Sequence, residues 1–186
     1  MNSPLAARTW IHTFEGALPA GFLLRQRYPD RWLRIHSLPE SKRYPGCPTE
    51  YEELLNRHNT VAAYVLGEGN QCSVFVTRFG ENREWSDSNL SSLMGGIPTH
   101  AFASEDLDEP MQFFSQQVTW RRSAFDALIC AVAEEKTGPI LFVNTATQSI
   151  YAPYDGGADL FFPSSAAVAA ARAQFRSWLS AREDGL

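Results

Sequence analysis

Residues 151–165 read YAPYDGGADLFFPSS. An apolar run, an Asp-Gly-Gly turn, a second apolar run and a Pro-Ser-Ser start follow one another without a gap. Asp followed by Gly closes hairpins because the side chain bonds its own backbone and glycine adds no Cβ. A serine ahead of an alanine-rich stretch is the N-cap pattern of a helix. The stretch therefore predicts strand, turn, strand and helix in direct succession. Just upstream, 140–143 (ILFV) is continuously apolar, as a central strand covered on both faces must be. The segments 140–143, 149–154 and 159–162 then form a meander, with a helix capped by Ser164 or Ser165 behind it. The inner face of that helix is Val168, Ala171, Phe175, Trp178 and Leu179.

Further out, 4–15 and 19–27 read as short helices broken around Gly16 and Pro19, and 31–36 as a strand. Residues 37–48 hold three prolines and Gly46 and read as loop. A helix over 49–66 is predicted by the stripe Tyr51, Leu54, Leu55, His58, Val61, Ala62, Val65 and Leu66, with Thr49 and Glu52 at capping-box spacing and Gly67 as its stop. A strand at 71–79 puts Cys72, Val74 and Val76 on one face and Phe75 and Phe79 on the other. The acidic segment 80–110 reads as loop with one short strand near 99–103. A strand at 111–120 and a helix from Ser123 to Lys136, stopped by Thr137-Gly138-Pro139, complete the pattern. The fold class is α+β: a mainly antiparallel sheet of about five to seven strands with helices packed on it. The whole chain, 1–186, is expected to be one domain.

Net charge is −5, which argues against a nucleic-acid partner, whose binders carry a basic footprint. The charge is segregated. Arg25, Arg27, Arg31, Arg34, Lys42 and Arg43 meet only Asp30 and Glu40, whereas Glu81, Glu84, Asp87, Glu105, Asp106, Asp108 and Glu109 meet only Arg83. Two solvated loops of opposite sign would look this way, and so would a bipolar surface that steers a charged partner. No window approaches the ~18 apolar residues of a membrane span. The first residues, MNSPLAARTWIHTFEG, lack the basic region and apolar run of an export signal. Cys47, Cys72 and Cys130 are odd in number, widely spaced and without a CxxC pair, so neither disulfides nor zinc is expected and a cytoplasmic setting fits. Cys47, between Pro45 and Pro48, is the one expected to be exposed.

Two groups of residues are candidate sites. Period-2 geometry places Trp32, Arg34 and His36 on one face of one strand, with Lys42 and Arg43 in the loop after it. An Arg fork, an imidazole and a lysine suit a phosphate or a partner's carboxylates. The structural alternative is a solvated face with Trp32 covered by a helix and Arg34 paired to an acid. Asp155 and Asp159 flank the glycine turn, and two carboxylates could help hold a divalent cation. They do not make a cage, however. Asp155 is explained by turn chemistry, and Asp159 by an answer to Arg34, so no metal and no cofactor is expected. His58, on an apolar stripe, reads as a core histidine with a hydrogen-bond partner. Nucleotide, hydrolase and metalloprotease motifs are absent.

The strings RIHSLPESKRY (34–44) and PYDGGAD (153–159) resemble a group of short uncharacterised bacterial proteins. The resemblance implies a bacterial, cytoplasmic, single-domain protein and brings no activity or catalytic residue. By analogy with small acidic α+β proteins of bacteria, it suggests an antitoxin- or immunity-like partner protein.

Two functions follow as expectations. One is a non-enzymatic binding protein with a protein partner, using the basic 31–44 or acidic 81–109 surface. The other is a small hydrolase or phosphoryl-handling enzyme in which Arg34 binds an anion, His36 is general acid or base, and Asp155 or Asp159 orients it. A homodimer built on an exposed aromatic patch is a third. A pocket lined by Trp32, Arg34, His36 and the Asp155 turn favours the enzyme; a flat face rimmed by charge favours binding.

Overall fold

The computed structural model describes residues 5–104, 109–180 and 182. Its sheet has seven strands in the order β1-β7-β6-β5-β2-β4-β3, with every neighbouring pair antiparallel. The strands are β1 (Trp32–His36), β2 (Gln71–Phe79), β3 (Thr99–Ser104), β4 (Met111–Thr119), β5 (Ile140–Asn144), β6 (Ser149–Tyr154) and β7 (Gly157–Phe161). The helices are α1 (Leu5–Thr13), α2 (Gly21–Arg27), α3 (Pro48–Leu66), α4 (Ser88–Met94), α5 (Asp126–Ala133) and α6 (Ser165–Gln174). The α+β class expected from the sequence is the one observed.

Helices cover both faces. The larger core joins α3, α5 and α6 to the inward residues of the sheet, among them Leu33, Ile35, Val74, Phe142, Tyr151 and Leu160. The opposite core seats Trp10 of α1 and Leu24 of α2 on Phe75, Leu141, Val143 and Ile150. β5 is buried throughout, and its residues alternate between the two cores. That is why its sequence is apolar at every position from Ile140 to Val143 rather than at every second one.

Four local expectations are corrected. Cys47, not Thr49, is the N-cap of α3, and it makes no side-chain cap bond. Pro48 takes the first helical position, where its missing N–H costs nothing. The helix after β4 starts at Asp126 because Ser123 adopts φ 63°, outside the helical region. Within 80–104 lies α4, which the acidic composition had hidden. Its Asp87 cap accepts from the Leu90 amide at 2.8 Å, and Gly95 ends it at φ 74°. Finally, β7 begins at Gly157, so the β6–β7 turn is Asp155–Gly156 alone. No residue of that turn has positive φ, so handedness does not explain the glycine pair. Space does: a Cβ on Gly157 would overlap the carbonyl oxygen of Ile35 on β1. Glu105, Asp106 and Asp108 of the acidic run lie outside the described residues.

Candidate functional site

β1 is an edge strand paired only with β7, in a register that sets Arg34 opposite Asp159. Leu33 and Ile35 are 2% and 0% exposed, and Trp32, Arg34 and His36 emerge on the other face, as period-2 geometry requires. Arg34 donates from Nε to Asp159 Oδ1 at 2.8 Å and from Nη2 to Oδ2 at 3.0 Å. Trp32 Nε1 donates to the same Oδ1 at 2.8 Å. The guanidinium also lies 4.5 Å from the Tyr154 ring centroid and 5.6 Å from that of Trp32. Burial works against the Arg34 charge, but the hydrogen bonds and charge of Asp159 outweigh it, and its pKa rises. Of five guanidinium donors, two are spent on Asp159; both Nη1 hydrogens and one on Nη2 are not.

Asp155 is the second half of the site. Arg43 pairs with its Oδ2, and Tyr44 donates its hydroxyl to the same atom at 3.1 Å. Burial alone would raise the Asp155 pKa; Arg43 and Tyr44 overcome that and hold it below its ordinary value. Burial pushes the Tyr154 phenol up to about 12, so this ring stays protonated. Lys42 turns away from the site and grips Glu50 of α3 at 2.5 and 2.7 Å.

These groups open onto a cleft of about 390 Å³. α2 forms one wall with Gly21, Phe22 and Arg25. The strand ends give the floor: Arg34, Ala152, Tyr154, Asp155 and Asp159. The segment from α5 to β5 closes the far wall with Val132, Glu135, Thr137, Gly138 and Pro139. α2 sits low on the sheet because Gly21 has no side chain; a Cβ there would be 3.0 Å from that of Ala152. Thr137 Oγ1 is buried without a hydrogen-bond partner among the described residues.

Of the residues singled out in the sequence, Arg34, Asp155 and Asp159 meet at this cleft. Arg43 and Trp32 reach it only through the carboxylates they hold. His36 does not line it. Its Nε2 is buried with no hydrogen-bond partner among the described residues, and burial, then Arg34 and Arg57, lower its pKa. His58 is the core histidine expected, with Nε2 2.7 Å from Ser37 Oγ and Nδ1 2.7 Å from Tyr151 Oη. Phe22, Glu135 and Thr137 carried no signal in the sequence, because the first lies on a weakly periodic helix and the others on a helix stop. Among the described residues no three His, Cys, Asp or Glu side chains gather as metal ligands, and no helix is long and apolar enough to cross a membrane.

The chain belongs to the family described as Domain of unknown function (DUF3885), whose model matches residues 20–183 and so takes in every residue that lines the cleft. No curated protein and no solved structure matches it.

Proposed function

We propose that this chain is a non-enzymatic binding protein and that its working site is the cleft beside the Arg34–Asp159 pair. The observation that carries this reading is that the acid–base candidates read from the sequence are tied up or displaced. Asp159 accepts from Arg34 and Trp32 on both oxygens, Asp155 is held by Arg43 and Tyr44, and His36 stands outside the cleft. A general acid or base must reach its substrate's proton and release its own. A carboxylate fixed beneath a guanidinium does neither. It serves recognition instead, because a guanidinium locked in place loses little entropy when a ligand arrives. The hydrolase reading would need His36 turned into the cleft.

The same pairs weaken the idea of a broad steering surface, since Arg34, Lys42 and Arg43 each have an acid of their own. A protein partner remains a second reading, favoured by Phe22 and Tyr44, 38% and 44% exposed, beside the cleft. Such a partner would place a charged side chain in the cleft and pack on those rings.

Thermal unfolding of the full chain against carboxylates, phosphates, amino acids, nucleotides and sugar phosphates tests the first reading, since a ligand of the native state raises Tm by mass action. At least one compound should raise Tm saturably in the wild type and not in Arg25→Ala or Phe22→Ala, and NMR should find it unchanged after prolonged incubation. Consumption of the compound would establish catalysis and end the proposal. A panel without effect, or a shift untouched by both variants, would remove the cleft as the site.

A further inference from the structure

We infer that the cleft takes a zwitterion: one molecule bearing an ammonium group and a carboxylate on an apolar body, in the size range from an α-amino acid to a dipeptide. The inference rests on the binding reading above and names the ligand class for that site.

The charge inventory points there. Three cations, Arg25, Arg34 and Arg43, and three carboxylates, Glu135, Asp155 and Asp159, belong to the cleft or hold its lining. Arg34 is matched to Asp159 and Arg43 to Asp155. One charge of each sign is left over. Among the described residues Arg25 has no ion-pair partner; its guanidinium rests 5.7 Å from the Trp32 ring centroid. Glu135 likewise has no ion-pair partner among them. The two are on different walls, Arg25 on α2 and Glu135 on the turn after α5.

A simple anion would therefore meet three carboxylates as well as three guanidiniums, and so would a simple cation. A molecule with both charges answers both walls and leaves the cleft neutral, as it is without ligand. The carboxylate has the spare donors of Arg34 beneath it and Arg25 beside it, the planar fork that suits carboxylates. The ammonium has the Glu135 carboxylate as its acceptor. Between the charges Phe22, Val132 and Pro139 offer apolar contact. The cleft's roughly 390 Å³ lies at the small end of ligand sites.

Isothermal titration of the full chain decides this. The probes are L-leucine and glycyl-L-leucine, with 4-methylpentanoate and 3-methylbutylamine as the leucine isosteres lacking one charge, and inorganic phosphate. At least one zwitterion should bind. Each single-charge isostere should bind at least about tenfold more weakly than L-leucine, or show no heat, for the loss of one charged contact. Glu135→Gln should weaken the zwitterion and leave the carboxylate isostere as it was; Arg25→Gln should do the same toward the amine. Both positions are partly or fully exposed, and matching melting curves will show that the variants fold. If 4-methylpentanoate or phosphate binds as well as the amino acid, the site reads an anion only: the zwitterion inference falls and the binding reading stands. If no probe binds while another compound raises Tm through the cleft, the inference falls alone. If nothing binds at all, both fall.

Discussion

A methyl group at position 157 would collide with the backbone oxygen of Ile35 and come within 3.0 Å of the Tyr154 hydroxyl. Backbone cannot step aside as a flexible side chain can, so Gly157→Ala must separate β1 from β7. The expected cost is roughly 1–3 kcal/mol, as for other overpacked sites, with Arg34 drawn from Asp159. Urea unfolding will show the loss, and an unchanged midpoint would refute the close approach. The pair itself can be probed by Asp159→Ala, which leaves the Arg34 guanidinium partly buried without its carboxylate. A loss on the order of 3 kcal/mol is expected, and a much smaller one for an exposed pair such as Lys42–Glu50. His58 sets a pH dependence. Burial, then Arg57, lowers its pKa to about 3, so the ring is neutral in the fold, while in the unfolded chain it titrates near ~6.5. Below ~6.5 the unfolded chain holds a proton that the native ring lacks. The histidine's contribution is whole above that pH and is lost as pH falls toward about 3, at up to roughly 1.4 kcal/mol per pH unit. Urea midpoints at about pH 7 and about pH 5 should differ in that sense, and His58→Gln should flatten the slope; an equal slope in the variant would contradict the assignment.

At the scale of elements, α4 is the part held most locally. Asp87 caps it and also pairs with Arg78 of β2. Asp87→Ala should cost about 1 kcal/mol through the lost cap and speed amide exchange in residues 88–94, with β5 unaffected; unchanged exchange in α4 would show that the cap does not hold it. How much was legible in the sequence follows from the same contrast. β2 spans the residues its alternation marked, and β5 revealed itself by an apolar run, because burial on both faces leaves no polar position from Ile140 to Val143. α6 was legible from Ser164, which accepts from the Ala167 amide. α4 was not, since a two-turn helix offers only Leu90 and Met94 to the core with Leu93 at its edge, and serine and asparagine suit turns equally well. The site divides similarly. Arg34 and Asp159 could be paired in advance because strand alternation and a hairpin constrain them. Glu135 and Thr137 could not, because their arrival at the cleft depends on how the turn after α5 meets α2, a contact between segments more than a hundred residues apart in the chain. His36 shares its strand face with Arg34 and still misses the cleft, since alternation fixes a side and not a position along the strand.

Over the whole molecule, both cores are built on one sheet, and the strands that carry them interleave α3, α5 and α6 with α1 and α2. If the chain is one domain, as its length suggests, denaturant unfolding followed by tryptophan fluorescence and by circular dichroism should give one coincident transition; separate midpoints would divide it. The charge pattern also reads differently at this scale. Of the cations in the basic segment, Arg34, Lys42 and Arg43 are each tied to an acid, and two of those acids are Asp155 in the β6–β7 turn and Asp159 in β7. The proposed recognition site is instead the cleft at the end of the sheet. The most direct test is amide NMR of the full chain titrated with L-leucine and glycyl-L-leucine. Saturable shifts confined to Gly21, Phe22 and Arg25 on α2, Asp155 on the strand turn, and Glu135 to Gly138 on the far wall are expected. Shifts gathered elsewhere, around α4 or the free edge of β3, would contradict it, as would a spectrum that neither probe moves.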